Sequence, residues 1–183
     1  LEDLNREALP VEAKIRLKEL ETLNFIQEGQ NIILIGSAGM GKTHIGIGLG
    51  IKACMKNYNV LFMSVPNLIT ELKEKVSLNQ LSIFKNKFEK YDLVVLDELG
   101  YISFDKEGSE LLFNLISIRN ETKSTIITSN LTFDRWDEVF NDPVITAAMV
   151  DRLTHRSYII NMSGSSYRMK ETSEWIKSMT QII

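Results

Sequence analysis

The sequence predicts an α/β fold in which a parallel five-stranded sheet is sandwiched between helices. Three observations carry this. Short continuous apolar runs, Ile32–Ile35 and Leu93–Leu96, read as strands buried on both faces rather than on one. Such runs alternate with helix-period segments, the pattern of parallel strands joined by helical crossovers. The first run passes straight into a glycine-rich turn and then a helix, a strand–loop–helix unit with a chemistry of its own.

Taken in order, Pro10 to Phe25 is expected to form one amphipathic helix, with Ile15, Leu17, Leu20, Leu23 and Phe25 among Lys and Glu and with Gly29 closing it. Residues 1–28 then lead into a single core domain over 29–183. After the first strand, Lys42 to Lys56 reads as a helix despite Gly46, Gly48 and Gly50. Each of these costs about 1 kcal/mol against Ala, so close packing on the sheet is the expected compensation. They do not complete G-x-G-x-x-G, because Ile51 stands at its last position.

Asn59–Ser64 is the second strand, and Pro66 opens a helix carrying Leu68, Ile69, Leu72 and Val76. Another helix runs from about Leu78 to Phe88. Lys73, Lys75, Lys85, Lys87 and Lys90 are balanced there by Glu71, Glu74 and Glu89, which favours a solvated face over a nucleic-acid contact. The third strand, Asp92–Asp97, precedes a helix over about 105–120, and Ser124–Ser129 is the fourth. Short helical pieces at Phe133–Phe140 and Val144–Thr154, a fifth strand at Arg156–Ile160 and a closing helix to about Met179 complete the chain.

At 183 residues the chain suits one domain, and 44% hydrophobic with 25% charged residues is an ordinary globular mixture. The net charge of −3 gives no overall basic character that would point to nucleic acid. Cys54 is the single cysteine and sits in an apolar helical context, so a small core residue in a reducing cytoplasm is expected. His44 and His155 have no cysteine partners for a zinc site. No apolar run approaches the ~18 residues of a membrane span and no signal peptide is visible, so the expected location is the cytoplasm, away from the membrane. The chain opens on Leu1 rather than Met, which reads as a piece lacking an N-terminal segment.

The turn after the first strand matches G-x-x-x-x-G-K-[ST] at Gly36, Gly41, Lys42 and Thr43. Gly36 and Gly41 let backbone N–H groups converge on phosphate oxygens, and the following helix adds the positive end of its dipole. Lys42 supplies a charge for the β- and γ-phosphates, and the Thr43 hydroxyl can ligate Mg²⁺. The third strand ends in Asp97-Glu98. Asp97 is placed to hold Mg²⁺ opposite Thr43, and Glu98 to orient and polarise a water for attack on the γ-phosphate. The fourth strand ends in Thr128-Ser129-Asn130. If it lies beside the first, Asn130 can hydrogen-bond the attacking water or the γ-phosphate. A guanine-reading Asn-Lys-x-Asp is replaced by Asn130-Leu131-Thr132-Phe133, which favours ATP.

The assembled pattern resembles the AAA+ ATPases of the IstB/DnaC type, helpers of transposition and loaders of replicative helicases. The residues that carry the resemblance are Gly36-Ser37-Ala38-Gly39-Met40-Gly41-Lys42-Thr43-His44, Leu96–Tyr101, Asp105–Gly108, Thr125–Asn130, Asp151-Arg152-Leu153 and Ser166-Tyr167-Arg168. It covers about residues 10 to 170, and the run from Asp97 to Gly108 looks closer to the IstB helpers than to the loaders. It implies a P-loop NTPase αβα sandwich without a separate lid domain, with the whole of Gly36–His44 as the nucleotide loop.

Arg168 then matches the arginine that reaches the γ-phosphate of its own subunit. Arg152 matches the finger that acts on a neighbour's nucleotide, with Arg135 and Arg156 as rivals. The implied activity is assembly- and DNA-stimulated ATP hydrolysis by a homo-oligomer on double-stranded DNA. The implied partner is a transposase or, alternatively, a replicative helicase, engaged by an N-terminal segment that looks truncated here. A small-metabolite kinase would need an acceptor pocket and an Arg-rich lid that the sequence does not display. A nucleotide-dependent scaffold without turnover would have no use for Glu98.

Overall fold

The computed structural model describes residues 1, 4–164 and 166–180. Its centre is β1 (Asn31–Ile35), every residue of which is buried. Parallel neighbours flank it, β4 (Ser124–Ser129) on one side and β5 (Ser157–Asn161) on the other. Beyond β4 lie β3 (Leu93–Leu99) and then β2 (Val60–Ser64) at the edge, so the five-stranded order is β2-β3-β4-β1-β5, parallel throughout.

Alternation along these strands feeds two cores. Ile32, Leu34, Leu93, Val95 and Ile126 point to a layer containing α1 (Val11–Leu20), α2 (Asn24–Gln27) and α3 (Lys42–Met55). Ile33, Ile35, Val94, Leu96 and Ile127 point to the opposite layer. That layer holds α4 (Val65–Ser77), α6 (Lys106–Ser117), α7 (Asp137–Phe140) and α8 (Pro143–Thr154), with α5 (Leu81–Glu89) at its margin. Because both faces are covered, successive residues are all apolar, which is why these strands are continuous runs in the sequence. The last described element is α9 (Tyr167–Thr180).

Several expectations change. The single helix over 10–25 is two helices, because Leu23 adopts a left-handed conformation (φ +66°) between α1 and α2. The Thr22 hydroxyl holds this corner, donating to the Glu19 carbonyl at 2.7 Å and accepting from the Asn24 N–H at 3.3 Å. The break lets Leu20, Leu23, Phe25 and Ile26 all enter one core. Within α1 the buried face is Ala13, Leu17 and Leu20, and Ile15 lies off it, 66% exposed. Cys54 is exposed rather than in the core, one position beyond the buried Ala53.

The α3 glycines serve two neighbours. A Cβ at Gly46 would stand 3.1 Å from Val95, and one at Gly50 3.5 Å from Val60, so these two bring the helix down onto the sheet. Gly48 instead faces Leu1. Arg119, just past α6, is buried. Its guanidinium donates to the carbonyls of Phe88, Tyr91 and Ser124, each at 2.8 Å, and lies over the Phe88 ring. Burial lowers its pKa to about 10, still far above neutrality, so it remains a cation.

Candidate active site

At the carboxyl end of β1 the chain must turn sharply beneath the segment leaving β5. Gly36 does this at φ +143°, and a Cβ there would lie 2.4 Å from the Met162 carbonyl carbon. Gly41, at φ +84°, is the N-cap of α3 and starts the helix from a left-handed residue that a side chain would strain. The N-terminus of α3 therefore faces the loop, where its first N–H groups and dipole favour an anion.

Lys42 begins α3 and is buried. Its Nζ folds back across the loop and donates to the Gly36 and Ser37 carbonyls at 2.6 and 2.7 Å. Burial pulls its pKa below the ordinary lysine value, Asp97 opposes that shift, and Arg168 adds to it. Thr43 follows, its hydroxyl donating to Asp97 Oδ1 at 3.0 Å. The same oxygen receives the Thr128 hydroxyl at 2.5 Å. Glu98 is exposed, in a left-handed conformation (φ +66°), and its N–H donates to Thr128 Oγ1 at 3.1 Å. The β1–β4 pairing brings Asn130 beside the loop, and its amide oxygen is buried with no hydrogen-bond partner among the described residues.

These groups surround a cleft of about 270 Å³. Ala38, Gly39, Met40, Gly41, Lys42, Thr43 and His44 form its floor. Glu98, Thr128 and Asn130 form the strand-end wall, and Tyr167 and Arg168 come from α9. The opposite wall is Leu4, Asn5, Ala8 and Leu9, with Tyr101 at the mouth. Gly36 and Ser37 lie behind the floor as acceptors for Lys42, and Asp97 stands behind Thr43.

Arg152 is not among the lining residues. It stacks on Phe113, 4.3 Å from the ring centroid, and donates to Ser117 Oγ. Arg135 is tied to Glu138 by two hydrogen bonds of 2.8 Å, and Arg156 is exposed at φ +50°. The lining residues unassigned from sequence are Thr128, Tyr101, Tyr167 and the N-terminal wall. Thr128 was visible only as one of three polar residues at a strand tip. Leu4, Ala8 and Leu9 reach the cleft from a sequence-distant segment without a motif.

Thr43 and Asp97 offer a hydroxyl and a carboxylate oxygen side by side, the hard donors that suit Mg²⁺ shared with substrate phosphates. No group of three or more His, Cys, Asp and Glu among the described residues could hold a metal. The arrangement has the parts for phosphate binding at the loop and for water activation at Glu98.

The IstB-like ATP binding protein family model matches residues 1–175. A relative named for ATP binding in insertion sequence IS232 of Bacillus thuringiensis subsp. berliner is 35% identical over 93% of this chain and 68% of its own length. A similarly named protein of IS21 in Pseudomonas aeruginosa is 40% identical over 85% of this chain and 58% of its own. The chain thus spans roughly three-fifths to two-thirds of these relatives. In fold it is similar to the solved structure of DnaI, with a TM-score of 0.71 at 22% identity over 90% of this chain and 88% of that one. The DnaC helicase loader gives 0.67 at 22% identity, covering 81% and 88%.

Proposed function

We propose, for a chain that belongs to the IstB-like ATP-binding protein family, that it hydrolyses Mg·ATP and uses the cycle to deliver or regulate a transposase on double-stranded DNA. The observation that carries the reading is the convergence of Lys42, Thr43, Asp97 and Glu98 at one strand end, since phosphate binding alone would not require Glu98.

In this reading the loop N–H groups and the α3 N-terminus receive the phosphates, and Lys42 exchanges its two carbonyl partners for phosphate oxygens. Thr43 and Asp97 would hold Mg²⁺, which supplies charge neutralisation at the β- and γ-phosphates when bound. Glu98 accepts a hydrogen bond from the attacking water and draws its proton as the water oxygen bonds to the γ-phosphorus and the bridging P–O bond breaks, with ADP as the leaving group. Asn130, at the tip of β4 in the cleft wall, hydrogen-bonds the attacking water or the γ-phosphate. Arg168 neutralises the γ-phosphate from α9, while Arg152 serves the cleft of a neighbouring subunit in a homo-oligomer.

Among the described residues no helix is long and apolar enough to cross a membrane. Loading of a replicative helicase is the second reading, favoured by the DnaC and DnaI folds alone.

ATPase rate against protein concentration, with and without double-stranded DNA, tests the proposal. A steep, DNA-stimulated rise per subunit is expected. A flat rate indifferent to DNA would point to a self-contained site such as a kinase.

A further inference from the structure

We infer that Thr128 is a positioning residue, whose single hydroxyl sets both the backbone bulge that aims Glu98 into the cleft and the orientation of Asp97 toward Thr43. The catalytic consequence rests on the hydrolysis reading above; the geometry does not. Along the β3–β4 ladder Leu96 pairs with Ile127, and the next pair is Leu99 with Ser129. Two residues of β3, Asp97 and Glu98, therefore stand opposite one of β4, Thr128, which is a β-bulge. With the extra residue Asp97 is buried, Glu98 reaches solvent, and Leu99 returns to the core that holds Leu96.

A bulge has a cost. Glu98 sits at φ +66°, a region that residues with a Cβ seldom occupy and that neighbours must enforce. Thr128 Oγ1 accepts from the Glu98 N–H at 3.1 Å and donates its own proton to Asp97 Oδ1 at 2.5 Å. A hydroxyl can do both at once, and a methyl can do neither. Thr128 is itself immobile: its backbone pairs with Leu34 of the central strand, and it is buried.

The comparison with its neighbours sharpens the point. The preceding β4 residues, Ile126 and Ile127, are apolar core, and Val would fill the Thr128 volume with equal strand preference. The two hydrogen bonds are what the hydroxyl adds. Losing them takes the side-chain acceptor from the Glu98 N–H and removes one of two hydroxyls that fix the Asp97 carboxylate.

Kinetics of Thr128→Val and Thr128→Ser, with amide hydrogen exchange, test this. The valine variant is expected to lose about 10- to 100-fold in kcat. Its KM for ATP should rise by less than kcat falls, because Lys42 and the loop N–H groups still receive the phosphates where the Asp97 carboxylate is less firmly set. The serine variant should recover most of the rate. In nucleotide-free protein the Glu98 amide should exchange faster in the valine variant and not in the serine one.

Wild-type kcat in Thr128→Val, or equal losses in both variants, would overturn the assignment. Thr128→Ala stands in for the valine variant if that does not fold. Should wild type show no hydrolysis, the reading of function fails on its own, and Glu98 exchange decides for Thr128: unchanged protection overturns it, faster exchange in valine alone upholds it.

Discussion

Lys42 and Glu98 make opposite demands of the same cleft, and their backbones and partners show how each is met. Lys42 is buried against two loop carbonyls, and burial holds its pKa below the ordinary lysine value. Phosphates placed before the ammonium stabilise its charged form, so its pKa is higher in the complex than in the free protein. The sign follows: ATP binding takes up protons at alkaline pH, and affinity falls as pH rises through the depressed pKa of the free protein. Titration calorimetry in two buffers of different ionisation heat would measure the uptake; none at alkaline pH would mean that Nζ does not meet the phosphates. Glu98 demands instead a free carboxylate facing water. Glu98→Gln keeps size and polarity but cannot take a proton. It should bind ATP within about threefold of wild type and lose roughly 10²–10⁴ in turnover, separable by nucleotide titration and phosphate release.

At the scale of elements, the most consequential join lies far from the cleft, where Arg119 ties the end of α6 to the α5–β3 turn and the start of β4. Arg119→Met fills similar volume but strands three buried carbonyls, so a loss of about 3–5 kcal/mol is expected in urea denaturation. Arg119→Lys should recover only part of it, since one ammonium cannot reproduce the planar fork. A loss under about 1 kcal/mol would mean that water satisfies these carbonyls.

Nothing in the sequence marked this arginine, because a lone Arg after a helix ordinarily reads as solvated charge. The strands were legible, since burial on both faces writes itself as unbroken apolar runs. So was the pairing of Gly36–Thr43 with Asp97-Glu98, two contiguous motifs that the fold brings together at one cleft. The corner at Leu23 was not, as a left-handed leucine has no compositional signature. Cys54 was misplaced because the apolar residues of α3 extend beyond its buried face: Ile47, Ile51 and Met55 are exposed beside the face that meets the sheet. The bulge at Glu98 was hidden too, since register emerges only when β3 and β4 pair.

For the whole molecule, the question is whether one chain holds a complete hydrolytic site. Lys42 and Arg168 are the lysine and arginine that line the cleft, and Arg152 lies elsewhere, braced by Phe113 and Ser117. That bracing orders the guanidinium before any partner arrives, lowering the entropy lost if it meets a second copy's nucleotide. An arginine supplied in trans stabilises charge developing on the transferred phosphate, worth about 10³–10⁵ in rate where it has been characterised. Arg152→Ala subunits should therefore bind ATP normally yet hydrolyse it slowly, and Lys42→Ala subunits should fail to bind. Mixed together, the two can form junctions in which an intact loop from one subunit faces an intact Arg152 from the other. Activity should reappear in the mixture and vary with its ratio, peaking where such junctions are most frequent. If both variants assemble and no ratio restores turnover, Arg152 does not act between subunits, and the same mixing with Arg135→Ala or Arg156→Ala would test its rivals in turn.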